Sequence, residues 1–243
     1  NYQILHEDES LFIINKPGNL PVHPAGRYFF NSLLVHLRTH GHQTPLKANR
    51  EYFLVHRIDR ETSGVLVLTK TRVSAAHLTK QFADRVTDKY YLAVVHGAPQ
   101  QEFEVAAPMR RSTTSRIELK MEIAPSDDAP NAQTALTRFK LLERAGPYSL
   151  LACYPKTGRQ HQIRVHLNHV GHPIVGDKLY GMSESDAYRY FESKFLSDEA
   201  KERLLLPRHG LHAAGIRFKH PDTDLLMEYA TPLPADLRAF LDS

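Results

Sequence analysis

Several things are scarce in this sequence. It holds one cysteine, Cys153, in 243 residues. A single thiol cannot build an internal disulfide framework, so a reducing compartment, the cytoplasm, is expected. Cys153 lies in the apolar run 150–154 with nothing nearby to depress its pKa. It reads as a small buried hydrophobe and not as a nucleophile. No apolar run approaches the roughly 18 residues of a membrane span. Residues 1–7 mix polar and apolar side chains and lack the basic-then-hydrophobic order of a signal segment. There is no internal repeat and no low-complexity tract. The first residue is Asn1 and not Met, which leaves room for a preceding stretch, from a few residues to a whole domain.

What is present suffices for a folded domain. Hydrophobic residues make up 42% and charged residues 24%. That composition buries a core and does not indicate bulk disorder. Formal net charge is +4 with a pI near 9.1, a mild attraction for phosphate-rich partners. The chain reads as one domain over residues 1–243, two lobes around a cleft.

Strand-like segments dominate. Residues 3–6 and 11–15 form a hairpin, and 65–69 and 90–95 are β-branched and aromatic runs. Residues 116–123 alternate Ile117, Leu119, Met121 and Ile123 with charges, the period of a half-buried strand. Residues 133–142, 149–154, 211–220 and 225–229 supply further strands, the last two flanking a turn at 221–224. Helices are fewer. Asn31 caps 32–39 with Gly41 as the stop, Thr71 caps a helix to residue 85, and 234–241 starts at a proline. Residues 186–206 read as an inserted helical excursion, and 125–131 as a surface loop. The pattern is α+β with a largely antiparallel mixed sheet flanked by a few helices.

The stretch 157–171 is the most fully specified helix. Thr157 and Gln160 match a capping box, and Gly171 is a natural C′ stop. Ile163, Leu167 and Val170 make an apolar stripe. Gln160, Arg164 and Asn168 fall on a polar face, which presents Arg164 outward.

Four constellations carry chemistry. His56-Arg57-Ile58-Asp59-Arg60-Glu61-Thr62-Ser63-Gly64 is a polar loop entering an apolar strand. Adjacent guanidinium groups favour the ionised form of Asp59, and an ionised carboxylate can act as nucleophile or base. A surface turn of solvated charges fits the same residues. In 157–166, a helix N-terminus with Arg159 and Arg164 suits an anion, although an ordinary capped amphipathic helix would look alike. Lys89-Tyr90-Tyr91 opens a strand, where an aromatic side chain either stacks on a base or belongs to the sheet. Asn15-Lys16-Pro17-Gly18 with Pro21-Val22-His23-Pro24 is a rigid loop, in which Lys16 is a phosphate contact, a positioning charge or a plain loop lysine.

The histidines invite a metal reading. His166, His169 and His172 stand three apart, and His36 and His40 four apart. His172 lies past the Gly171 stop, no glutamate completes an HExxH pattern, and no cysteine supports structural zinc. No metal is expected.

Taken together the four constellations resemble the RluA family of pseudouridine synthases. Its central signature is carried here as His56–Gly64, with Ile58 in place of leucine. Asn15–Pro17 and Val22–Pro24 resemble its first motif, except that Gly18 follows Pro17 directly where the family has one residue between them. Lys89–Tyr91 resembles its Lys-x-Tyr. Lys156–Leu167 continuing to Gly171–Asp177 and Tyr180-Gly181 resembles its third motif almost throughout, and Leu211–Ala213 with Phe218–Pro221 fits as well. The likeness spans nearly the whole chain in the family's order.

The resemblance implies a pseudouridine synthase catalytic fold with a central cleft, and an isomerase that flips a uridine out of structured RNA, ribosomal or transfer. It implies Asp59 as the catalytic aspartate, Tyr91 as the tyrosine packed on the uracil, and Arg164 as the arginine that pairs with the aspartate. Arg57 corresponds to an arginine that enters the space vacated by the nucleotide, Ile163 to an aliphatic residue lining the base pocket, and Lys16 to a lysine near the site. Arg60, Arg159 and His161 are further candidate substrate contacts. Detaching uracil from C1′ and rejoining it through C5 gains and loses no atoms, so no cofactor is implied. Three routes stay open for Asp59: attack on the sugar, addition to the base, or removal of a sugar proton. No membrane contact and no obligatory protein partner is implied, and the chain is expected to act as a monomer.

Overall fold

The computed structural model describes residues 2–23, 30–40 and 51–243. In chain order the first elements are β1 (Gln3–Glu7), β2 (Leu11–Lys16), α1 (Leu33–His40), β3 (Phe53–Leu54), β4 (Ser63–Thr69), α2 (Arg72–Ala83) and β5 (Asp88–His96). Then come β6 (Glu102–Ala106), β7 (Met109–Arg111), β8 (Met121–Ile123), β9 (Leu136–Ala145), β10 (Tyr148–Pro155) and α3 (Gln162–His169). The last are α4 (Glu184–Ser193), α5 (Asp198–Leu204), β11 (Leu211–Lys219), β12 (Leu226–Ala230) and α6 (Ala235–Leu241). The fold is α+β. The expected Gly41 stop and Pro24 lie outside the described residues, as do the side chain of His40 and Asn1.

The chain forms two compact units. The first comprises Asn1–Lys89 and Ala213–Pro232, the second Tyr90–His212 and Leu233–Ser243. The backbone passes from one to the other inside β5, inside β11 and between Pro232 and Leu233.

In the first unit, β1 pairs antiparallel with β2, and β2 with β4, Lys16 standing opposite Gly64. All seven residues of β4 are buried, which is why its sequence is a continuous apolar run and not an alternation. The core gathers Leu11, Ile13, Val55, Val65, Val67, Leu78, Ile216 and Phe218. Thr71 caps α2, its hydroxyl accepting from the Ser74 N–H. That helix stops at Ala83, two residues short of the expected end, where Arg85 turns left-handed at φ +59°. The β1–β2 turn is fixed by Asp8, which accepts from His6 and His220 and from the backbone of Ser10 and Leu11.

In the second unit, β10 is flanked by β5 and β9, and β9 by β6, all antiparallel. In β9 residues 137, 139 and 141 are buried and 138, 140 and 142 exposed, the period-2 pattern of a sheet with one wet face. Residues 186–206 are helical as expected, split into α4 and α5. The expected strand over 116–123 shrinks to β8. Lys120 N–H bonds back to the Ile117 carbonyl, so the alternating residues 116–120 turn instead of extending.

Candidate functional site

The sequence places three catalytic candidates, and the chain distributes them over both units. Asp59 belongs to the first, Tyr91 and Arg164 to the second.

Around Asp59 the geometry is set by β2 and β4. The motif loop closes with Thr62 N–H bonding to the Asp59 carbonyl at 3.2 Å, and its last residues, Ser63 and Gly64, open β4. Gly64 has φ +113°, and a Cβ there would lie 2.2 Å from the Ala213 carbonyl oxygen. Only glycine permits that conformation and that approach. Ile58, the residue that departs from the family motif, is buried. His56 anchors the other end of the loop. Its Nε2 accepts from Val67 N–H at 2.9 Å, and its ring stacks on Phe82 at 4.9 Å. Burial, aided by the charge of Lys89, lowers its pKa to about 3, so the imidazole is neutral.

Lys16 is fully buried. Its Nζ donates to the carbonyls of Pro17, Leu20 and Arg60 at 2.8, 3.0 and 2.9 Å. With three donors spent on carbonyls, Lys16 has none left for a phosphate, and the phosphate-contact expectation is corrected. It ties the loop after β2 to the Asp59 loop. In that first loop the left-handed residue is Asn19 at φ +65°, not Gly18, which accommodates the shortened spacing. Arg60 pairs with Glu61 at 2.8 Å. Arg57 is exposed and makes no hydrogen bond or ion pair among the described residues, so its guanidinium is not spent on Asp59.

In the second unit Tyr91 sits on β5 opposite Cys153 and packs on the cluster that holds Cys153, Ile163 and Leu167. Cys153 is fully buried, and burial pushes its thiol pKa up, as its reading as a hydrophobe requires. Arg164 lies on α3 and is buried, contrary to the expected outward face. Its Nε and Nη2 donate to the two carboxylate oxygens of Asp177 at 2.7 and 2.8 Å, a bidentate pair. Asp177 is fully buried. Burial would raise its pKa, but the Arg164 charge and hydrogen bonds, with the Leu179 N–H, hold it below the usual carboxylate range. The sequence alone gives Asp177 no role, because nothing in a 13-residue separation pairs it with Arg164.

The capping box is a second correction. The helix begins at Gln162, and its N-cap, His161, is left-handed with no side-chain cap. Gln162 takes the reach-back role assigned to Gln160. Its Oε1 accepts from Thr157 Oγ1 at 2.7 Å and Arg159 N–H at 3.0 Å, while Nε2 donates to Leu136 O and Thr137 Oγ1. The C-terminus is as expected. His172 N–H bonds to Leu167 O and Gly171 N–H to Asn168 O, a Schellman ending with Gly171 at φ +80°. Arg159 donates to Thr134 O at 3.2 Å, and His161 Nδ1 meets Tyr180 Oη at 2.9 Å. Ile163 is buried and Val170 exposed.

His166 is fully buried with both ring nitrogens engaged, by Thr137 Oγ1 and Ala107 O. Among the described residues no three His, Cys, Asp or Glu side chains gather as a metal centre requires.

Residues 10–169 match the family described as RNA pseudouridylate synthase. The chain is 35% identical over 238 residues to ribosomal large subunit pseudouridine synthase D of Zymomonas mobilis, covering 97% of this chain and 70% of that protein. The chain belongs to the RNA pseudouridylate synthase family. Ribosomal large subunit pseudouridine synthase C of Vibrio cholerae is 37% identical over 98% of this chain and 68% of its own length. The chain spans 64% of the corresponding D protein of Nitrosomonas europaea, at 34% identity. Human RNA pseudouridylate synthase domain containing 4 superposes with a TM-score of 0.72 at 28% identity, over 99% of this chain and 92% of that one. These relatives bear out the RluA resemblance. The family is one of isomerases acting on RNA uridines, and the fold, sheet and sparse helices are those of its solved members. Among the described residues no helix is long and apolar enough to cross a membrane.

Proposed function

We propose that the chain isomerises uridines of large-subunit ribosomal RNA to pseudouridine with Asp59 as its catalytic carboxylate. The observation that carries this reading is the Asp59 loop itself. It is anchored at one end by His56 on Val67, braced in the middle by Lys16 on the Arg60 carbonyl, and closed by a glycine that no other residue can replace. A carboxylate that must meet a sugar or a base within a few tenths of an ångström needs such a frame. The ribosomal substrate is the one named for the curated relatives.

In this reading the target nucleotide leaves its stack, at a cost of a few kcal/mol offset by pocket contacts. Tyr91 packs on the uracil and Ile163 lines its pocket. Arg57, exposed and unspent, enters the space the nucleotide leaves. Arg164, aimed by Asp177, holds its charge where the reaction proceeds. The N1–C1′ bond breaks, uracil turns, the C5–C1′ bond forms, and the C5 proton is replaced by one at N1. Arg159 and His161 bind RNA at the start of α3. The chain acts as a monomer in the cytoplasm.

The test is incubation of the purified chain with an unmodified transcript of large-subunit ribosomal RNA, followed by mapping of pseudouridine at single-nucleotide resolution. New pseudouridine at discrete positions is expected. A transcript left unconverted while transfer RNA gains pseudouridine removes the substrate, and no conversion of either removes the reading.

A further inference from the structure

The first unit holds two donors that the protein does not use. His56 Nε2 accepts from Val67 N–H, so the ring proton of the neutral imidazole is on Nδ1. That N–H has no acceptor among the described residues. Lys89 stands near it: its Nζ lies 5.7 Å from the centroid of the Phe82 ring on which His56 stacks, and its charge acts on the imidazole. Its ammonium makes no hydrogen bond or ion pair among the described residues, although burial lowers its pKa. A cation withdrawn from water beside an aromatic ring recovers only part of its lost hydration. Neither atom is sealed. Both residues are half-buried and not enclosed in the core.

We infer that Lys89 Nζ and His56 Nδ1–H, the latter three residues before Asp59 in the chain, seat one backbone phosphate of the RNA. The class of ligand follows from the donors. A full positive charge plus a neutral N–H suits a singly charged oxyanion with several acceptor oxygens, and RNA carries one at each nucleotide. Elsewhere the same kinds of group are consumed internally. Lys16 spends its ammonium on three carbonyls, and His166 engages both its nitrogens. The seat would fix the register of the strand while the bases are read elsewhere. This inference rests on the RNA-modifying reading for the identity of the anion, not for the existence of the unspent donors.

Lys89→Met tests it, read by binding to the large-subunit ribosomal RNA transcript over a salt series. Loss of one phosphate contact lowers affinity about tenfold and the slope of log K against log salt by about 0.7–0.9. The effect falls on KM more than on kcat, and Lys89→Arg restores most of it. Thermal stability of Lys89→Met stays level or rises, since a desolvated cation has been replaced by an apolar chain. A purely structural lysine would lower it. Should Lys89→Met not fold, acetylation footprinting of the wild-type protein reads the same point, and Lys89 is expected to be protected by the transcript. Wild-type affinity and slope in Lys89→Met, or equal labelling with and without RNA, overturns the seat. If the wild type converts no uridine yet the slope still falls in the variant, the activity is lost and the seat stands.

Discussion

His56 and His166 are both neutral histidines in withdrawn positions, one in each unit, and they differ in how completely they are used. His166 sits at zero exposure with a partner for each nitrogen. His56 has one partner and one N–H left over. The arginines divide in the same way. Arg164 is buried and chelates Asp177, whereas Arg57 is exposed with no ion pair among the described residues. A side chain whose polar atoms are paired inside the fold is held for position. One with donors to spare is held for something outside it. Of these four side chains, the two in the second unit are fixed, while Arg57 and His56, beside Asp59 in the chain, keep donors open.

The largest expected effect breaks the fixed half. Asp177→Ala removes the bidentate carboxylate from the buried Arg164 guanidinium and should cost about 3–5 kcal/mol of stability, measured by denaturant unfolding. A loss below about 1 kcal/mol would mean that Arg164 finds water or another acceptor and is less fixed than argued.

Next is Gly64→Ala in the first unit. The added Cβ meets the Ala213 carbonyl at 2.2 Å in a backbone conformation that L residues rarely adopt, so a loss of about 3 kcal/mol is expected from strain and overpacking combined. Conversion should fall further than stability, because the distortion enters the Asp59 loop directly.

The pH dependence sharpens the comparison of the two histidines. Burial lowers the pKa of His166 to about 4. Unfolded, it takes a proton below about 6.5, while the folded protein does not until about 4. Its contribution is fully present above 6.5 and declines as pH falls, at about 1.4 kcal/mol per pH unit between 6.5 and 4. His56 acts with the same sign, down to about 3. A unit-by-unit stability profile, read by hydrogen exchange, should show both slopes, and His166→Asn should flatten only that of the second unit.

The smallest effect is expected from Cys153→Ala. Removing one buried sulfur costs about 1 kcal/mol, and conversion of uridine persists. Loss of conversion with the fold intact would restore the thiol as a candidate nucleophile.

Most of the fold was legible. The hairpin of β1 and β2 follows from two apolar runs around polar turn residues, and the end of α3 from Gly171. The misreadings share one cause. Residues 116–123 alternate as a strand does, but alternation reports only which side chains point inward, and a turn bonded from Lys120 to Ile117 buries Ile117 equally well. The Thr157–Gln160 capping box has correct spacing, yet Gln162 reaches the same hydroxyl while also bonding to Leu136 and Thr137 on β9. That tertiary partner cannot be seen in a local pattern. The candidate site is legible as motifs, and the Asp59 loop stands in the sequence as one unbroken stretch, His56–Gly64. Its supports were not. The three carbonyls on Lys16, the Asp177 carboxylate on Arg164 and the unspent N–H of His56 are contacts between segments, and sequence spacing carries no record of them.

The central claim concerns one carboxylate, and Asp59→Asn tests it most directly. The substitution keeps size and shape and removes the charge. Pseudouridine formation on the ribosomal transcript, followed under single-turnover conditions at saturating enzyme, is expected to fall at least about a thousandfold with RNA affinity nearly unchanged. An Asp59→Asn protein that converts uridine within about threefold of the wild-type rate, on the scale of a fraction of one kcal/mol, would contradict it.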